Sequence, residues 1–308
     1  MQTHISYVLI AGEHVYKLKK PLDLGFLDFR TLDARRIACE REVALNSRLC
    51  AEAYLGVVPI IEMPEGPAIG ESAEGREPLD WAVHMRRLPD ESFLDRRLLD
   101  GHVPANTAAL LAQRLVEFHE AAATNDEVAR YGSVELIAAN WQENFDQVRP
   151  YIGRTIAQAD FDSLVSYVDR VLREDAGTFA RRAKRDRVRD GHGDLRCDSV
   201  SLGDDGSLCI IDCIEFNDRF RYADVASDLA FLLMDLDRLG ASWLADEVLT
   251  QYLARSFDES LPLVLPFYRC YRAFVRGKVH GFEMDEAEIP AEQRARAELT
   301  ARRCFDLA

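Results

Sequence analysis

Asp194 and Asp212 bracket a stretch, DLRCDSVSLGDDGSLCIID, whose residue types suit phosphate and divalent-cation chemistry. Within it Ser199–Leu202 and Leu208–Ile211 read as strands, and Gly203-Asp204-Asp205-Gly206 between them carries the Asp-Gly pair of a tight hairpin turn. A hairpin of that kind puts Asp194 just before the first strand and Asp212 just after the second, at the same open end. Two carboxylates so placed can share Mg²⁺, a hard cation that binds through one or two carboxylates plus substrate phosphates. The chemistry indicated is phosphoryl transfer, with Asp194 accepting the proton of an incoming hydroxyl and Asp212 holding the metal.

Three groups follow one another within residues 191–230: His192-Gly193-Asp194, then Asp212, then Asp224 with Asp228, Leu229 and Ala230 opening a helix. Together they resemble the core of the aminoglycoside phosphotransferase-like branch of the protein-kinase-like superfamily. More narrowly, the stretch is similar to bacterial members that often carry a separate P-loop domain. The resemblance implies an α+β, two-lobed kinase-like fold, with a small sheet-plus-helix N-lobe over residues 1–88 and a mostly helical C-lobe over 89–308. It implies ATP and Mg²⁺ as cofactors and a small-molecule hydroxyl as acceptor. His192 would brace the catalytic loop, Asp228 would hold that loop through its main-chain amides, and Asp224 would be structural or a helix cap. The family's metal-binding Asn falls on Ser199, whose hydroxyl can still ligate magnesium, directly or through a water or with help from Asp198 or Glu215.

The elements that must position these residues begin with strands over residues 4–10 and 14–19 around Ala11-Gly12-Glu13. Of the five lysines, three lie within Lys17–Lys20, in a chain that otherwise uses arginine. By resemblance one of them contacts nucleotide phosphates and pairs with a helix glutamate. Lys17 and Lys19 share a strand face, so periodicity does not separate them; the family pattern favours Lys17. A helix follows from about Thr31, its N-cap, to Cys50, with apolar positions at Ile37, Val43, Leu45 and Leu49. Glu40 and Glu42 lie about 200° apart around it, so only one can face inward. Glu42, on the apolar stripe, is the choice. Strands at 57–62 and 80–87 flank a Pro/Gly/Glu-rich turn at 63–79, and the second leads to a hinge where Met85, Arg86, Arg87 and Leu88 would meet an adenine. Residue 1 falls almost on the family's second strand, so the first strand and most of the phosphate-covering loop have no counterpart here; Thr3, His4 and Ser6 are the residues at that place.

From Phe93 the pattern is helical almost to His192, with segments at Pro104–Ala123, Asn140–Arg149 and Phe161–Ala180, the last running into a basic, solvated end at 181–189. Helices at Asp224–Leu239, Trp243–Phe257, Leu263–His280 and Pro290–Asp306 complete it. A net charge of −15 disfavours nucleic acid and favours cationic substrates. No run approaches the ~18 apolar residues of a spanning helix, and the N-terminus lacks a signal-peptide layout, so no membrane partner and a cytoplasmic location are expected. Seven cysteines fit a reducing compartment, with Cys209 and Cys213 as small buried apolar residues. No G-x-x-x-x-G-K-[ST] run is present, so a P-loop function would come from a partner domain or protein. Two further readings stand beside the kinase: a non-catalytic, pseudokinase-like module that binds a nucleotide or a partner, motivated by Ser199 and the absent phosphate loop, and nucleotidyl transfer on the same fold.

Overall fold

Gly12, in the left-handed region at φ 59°, turns the chain between β1 (Ser6–Ala11) and β2 (His14–Lys19), which pair antiparallel with Val8 opposite Lys17. The computed structural model describes residues 5–25, 27–70, 75–286 and 288–308, so Thr3 and His4 lie outside the described residues. With β3 (Tyr54–Met63), β4 (Gly66–Ile69) and β5 (Asp80–Arg86) the hairpin forms an antiparallel sheet in the order β1-β2-β5-β3-β4. β4 occupies part of the stretch read as turn. Its Gly66 and Pro67 weaken any strand signal, yet an edge strand tolerates proline, and β4 pairs only with β3, through Ile60–Met63.

Helix α1 (Leu32–Cys50) starts where Thr31 Oγ1 accepts the Ala34 amide at 3.2 Å. Its buried face is Arg35, Ala38, Cys39, Glu42, Asn46, Leu49 and Cys50, whereas Ile37 is exposed. Of the apolar stripe expected at Ile37, Val43, Leu45 and Leu49, Leu49 is buried and Val43 packs partly buried on the core, but Ile37 is corrected to the exposed side. The inward face mixes apolar residues with Arg35, Glu42 and Asn46, because its charged members are paired across the unit. Arg35 meets Asp80 at 2.8 Å, and Glu42 meets two lysines.

The chain divides into two compact units. The first comprises residues 1–103 and 198–221, the second 104–197 and 222–308. Residue 89, where the C-lobe is expected to begin, lies inside the first. Also in the first unit are α2 (Leu94–Leu99) and the hairpin of β7 (Val200–Leu202) and β8 (Leu208–Ile210), whose turn uses Gly206 at φ 84°. Its core gathers Cys39, Ala53, Tyr54, Val83 and Met85 around a disulfide between Cys50 and Cys209, whose Cα atoms are 4.8 Å apart. Cys209 is thus buried as read, but paired; Cys213 is buried outside the disulfide.

The second unit is built from α3 (Thr107–Ala121), α4 (Val134–Val148), α5 (Gln158–Glu174), α6 (Ala176–Lys184), α7 (Val225–Arg238), α8 (Ser242–Ser256), α9 (Leu261–Asp285) and α10 (Ala291–Asp306). A short ladder pairs β6 (Val188–Asp190) with β9 (Tyr222–Asp224). The single helix read over Phe161–Ala180 is two, broken at Asp175, where Asp and the nearby Gly177 are poor helix formers. The basic end is not uniformly solvated: Arg182 is buried, holding Asp224 through two bonds of 2.6 and 2.7 Å and Asp258 at 2.9 Å. Among the described residues no helix is long and apolar enough to cross a membrane.

Candidate active site

In the first unit a row of alternating charges runs inward from the Asp212 carboxylate. Lys17 Nζ lies 2.6 Å from Asp212 Oδ1 and 2.6 Å from Glu42 Oε1. Lys19 Nζ then takes Glu42 Oε2 at 2.5 Å and also bonds Glu215. Strand alternation puts both lysines on one face of β2, and α1 presents Glu42 to that face, so one carboxylate serves two ammonium groups, one through each oxygen. Depth separates the lysines: Lys19 is 2% exposed and Glu42 1%, while the Asp212 side chain is 54% exposed.

Burial alone would lower the Lys17 pKa, but the charges of Asp212 and Glu42 outweigh it and hold the ammonium well above its ordinary range. Burial would raise Glu42, but Lys17 and Lys19 together pull it down to about 2. Glu215 is pushed upward by burial, against the pull of Lys19 and with the Glu42 charge adding to it. Glu215, expected as a possible helper of Ser199 toward a metal, instead turns its carboxylate to Lys19.

Asp212 itself sits at φ 63°, a left-handed conformation uncommon for a residue with a side chain but tolerated best by Asn and Asp. Its amide donates to Tyr54 Oη at 3.3 Å, and the next amide, of Cys213, donates to Asn46 Oδ1 at 2.8 Å. Ser199 lies close along the chain fold, its carbonyl accepting the Ile211 amide at 2.9 Å, but the residue is only 3% exposed. At the end of β5, Met85 is buried, while Arg87 is exposed and ion-paired with Asp90 at 3.2 Å. The amides of Arg86 and Arg87 donate to the Ala53 and Glu13 carbonyls, each at 2.8 Å, and Leu88 packs partly buried against the core. An exposed carboxylate beside an ammonium held charged is a donor set that fits a hard cation and the phosphates it carries.

In the second unit, Asp228 accepts the His192 amide at 2.6 Å and the Gly193 amide at 2.9 Å, one on each carboxylate oxygen. Gly193 is at φ 86°, the conformation that lets two successive amides face one acceptor. Arg272 bonds the Gly193 carbonyl at 2.9 Å, Asp235 takes the Cys197 amide at 3.0 Å, and the buried His192 ring accepts the Asp194 amide at 3.3 Å. The loop carrying Asp194 is thereby fixed at both ends. Burial would raise Asp228, but His119 and Arg272 hold it well below the carboxylate range. His119 also bonds Tyr252 Oη at 2.8 Å and is buried, a packed histidine. Asp224 caps α7, accepting the Ala226 amide at 2.9 Å. Burial acts to raise Asp194, yet Arg196 and then Arg276 keep it below its ordinary value. The Arg196 guanidinium lies 3.2 and 3.3 Å from the two Asp194 oxygens. Arg196 carries no signal in the sequence, and Arg182 falls within the end expected to be solvated at 181–189, because nothing in an arginine-rich chain marks which arginines turn inward. Replacing Asp228 by Ala is expected to lower the unfolding free energy by about 3 kcal/mol or more, since it strands two buried amides and Arg272; urea midpoints check this, and a loss below about 1 kcal/mol contradicts it.

A family model described as the phosphotransferase enzyme family matches residues 29–265. An uncharacterized protein of Mycobacterium tuberculosis is 36% identical over 278 residues, which are 90% of this chain and 53% of the relative, and a Mycobacterium bovis protein matches equally. The chain therefore spans about half the length of these relatives. Among solved structures, an ADP-bound aminoglycoside phosphotransferase is 13% identical with a TM-score of 0.52, covering 99% of this chain and 92% of its own. Choline kinase of Cryptosporidium parvum is 10% identical at a TM-score of 0.51, covering 98% and 88%. At these identities the likeness is one of fold.

Proposed function

We propose that this chain, which belongs to the phosphotransferase enzyme family, transfers the γ-phosphoryl group of ATP to a hydroxyl of a small molecule. The observation that carries the reading is Lys17, whose ammonium touches Glu42 Oε1 and Asp212 Oδ1, each at 2.6 Å. A scaffold has no need of a permanently charged lysine shared between a buried and an exposed carboxylate. In this reading Lys17 binds phosphate oxygens while Glu42 keeps it directed. Mg²⁺, when bound, neutralises charge on the phosphates; Asp212 and Ser199 are the residues that would hold it. Asp194, kept ionised, orients the acceptor hydroxyl and takes its proton, and the Arg196 guanidinium on its two oxygens holds the carboxylate charged and in place. His192 and Asp228 hold the Asp194 loop in shape. Met85, Arg87 and Leu88 supply the adenine edge. Positioning and charge neutralisation do most of the work, since phosphoryl transfer asks little covalent chemistry of a protein.

The acidic balance of −15 favours a cationic acceptor such as an amine-bearing sugar or alcohol in the cytoplasm, with neither nucleic acid nor membrane as partner. The extra length of the mycobacterial relatives leaves room for a further domain or partner, of which a P-loop module is one form. One observation favours a second reading, a nucleotide-binding module without catalysis: Ser199, at the family's second metal position, is 3% exposed. Incubation with Mg·ATP and a panel of amino sugars, amino alcohols and polyols, with product masses, separates the readings. A phosphoryl gain on one acceptor supports the kinase. A nucleotidyl gain replaces it with nucleotidyl transfer, and Mg·ATP binding without any product replaces it with the module.

A further inference from the structure

Lys19 is a second buried ammonium behind Lys17, and nothing in a single lysine–glutamate pair calls for it. Its contacts are Glu42 Oε2 at 2.5 Å, the Glu215 carboxylate, and the Phe29 ring with a centroid 5.7 Å away. At 2% exposure it is shut off from a nucleotide. Glu215, itself buried, stands three residues after Asp212 on the segment that leaves β8. The same segment is tied to α1 by the Cys213 amide on Asn46, one turn beyond Glu42. Residues 212–215 are thus pinned at two points to the elements that bear the lysines and Glu42.

We propose that Glu215 is a positioning residue for the cation and phosphate site: through Lys19 it fixes one oxygen of Glu42, leaves the other for Lys17, and anchors the segment that presents Asp212. This rests on the reading of Asp212 as a cation ligand. The charges explain why two lysines are used. Three carboxylates share two ammonium groups, and Lys17 is the outer of the two. When Lys17 turns to a phosphate, Glu42 keeps its bond to Lys19 and is not left as a bare buried charge. When Asp212 takes a cation, its segment remains clamped by Glu215, at a backbone conformation (φ 63°) that needs such a clamp. Groups that orient a metal ligand from behind commonly set metal affinity by about 10–100-fold.

The test is Glu215→Gln, which keeps the shape and a hydrogen-bonding oxygen but removes the charge. Binding of a non-hydrolysable ATP analogue is measured by calorimetry with and without Mg²⁺, alongside the melting temperature. The expected result is about a tenfold or greater loss of the Mg²⁺-dependent gain in affinity, with metal-free affinity held within about twofold. Unchanged affinities overturn the proposal, and so does a parallel fall of both affinities with the melting temperature, which marks a merely structural residue. If wild type shows no Mg²⁺-dependent gain, the Asp212 reading has failed separately. Amide exchange in the unliganded proteins then decides: faster exchange at Asp212 and Cys213, with β1 and β2 amides unchanged, supports the clamp, and equal exchange at all of them overturns it.

Discussion

Asp194→Asn is expected to slow phosphoryl transfer by about 10²–10⁴-fold while leaving Mg·ATP affinity within about threefold of wild type. The amide has the shape of the carboxylate and keeps an oxygen for Arg196, so the bonds of 2.6 and 2.9 Å from His192 and Gly193 to Asp228 should persist. What is lost is the anion that receives the hydroxyl proton. The carboxyl is held below its ordinary pKa against burial by Arg196 and Arg276, so it stays ionised throughout the neutral range. Consequently no activity limb from this group should appear between about pH 6 and 8. Single-turnover rates and calorimetry on the same preparations check both halves. A variant that binds Mg·ATP but retains wild-type transfer would remove Asp194 from the chemistry.

The second large effect separates the two lysines. Lys19→Met leaves Glu42 and Glu215 buried with one ammonium too few, and is expected to cost about 3–5 kcal/mol of folding stability. Lys17→Met keeps the Lys19–Glu42–Glu215 cluster and should cost under half of that, but it should abolish the contribution of a charged group to phosphate binding. Adding Glu215→Gln to Lys19→Met removes one stranded charge and should recover part of the loss. Denaturant midpoints with nucleotide calorimetry give the comparison. Equal destabilisation by the two single substitutions would contradict the division of labour.

Much of this was legible in the residue types. The hairpin around Asp204-Asp205-Gly206, the Thr31 cap and the placement of the late helices follow from turn chemistry, capping and apolar period. The inward face of α1 was not legible, since Arg35, Glu42 and Asn46 are buried by partners far along the chain rather than by their own polarity. Alignment with Leu45 and Leu49 favours Glu42 over Glu40; what turns it inward is two lysines on β2, of which Lys19 lies 23 residues before it in sequence. β4 was hidden by its Gly-Pro start. Lys17 and Lys19 could not be ranked from a two-residue period, because both face the same side, and only depth tells them apart. The Cys50–Cys209 bridge joins residues 159 apart, and nothing in seven scattered cysteines selects that pair.

The measurement that bears most directly on the central claim is ATP binding by calorimetry, with and without Mg²⁺, on wild type and on Asp212→Asn. The expected result is metal-dependent binding by wild type that Asp212→Asn loses, with its metal-free binding and melting temperature intact. ATP affinity that is the same with and without Mg²⁺, or a variant that keeps the full metal-dependent gain, would contradict the assignment of Asp212 and with it the phosphotransferase reading.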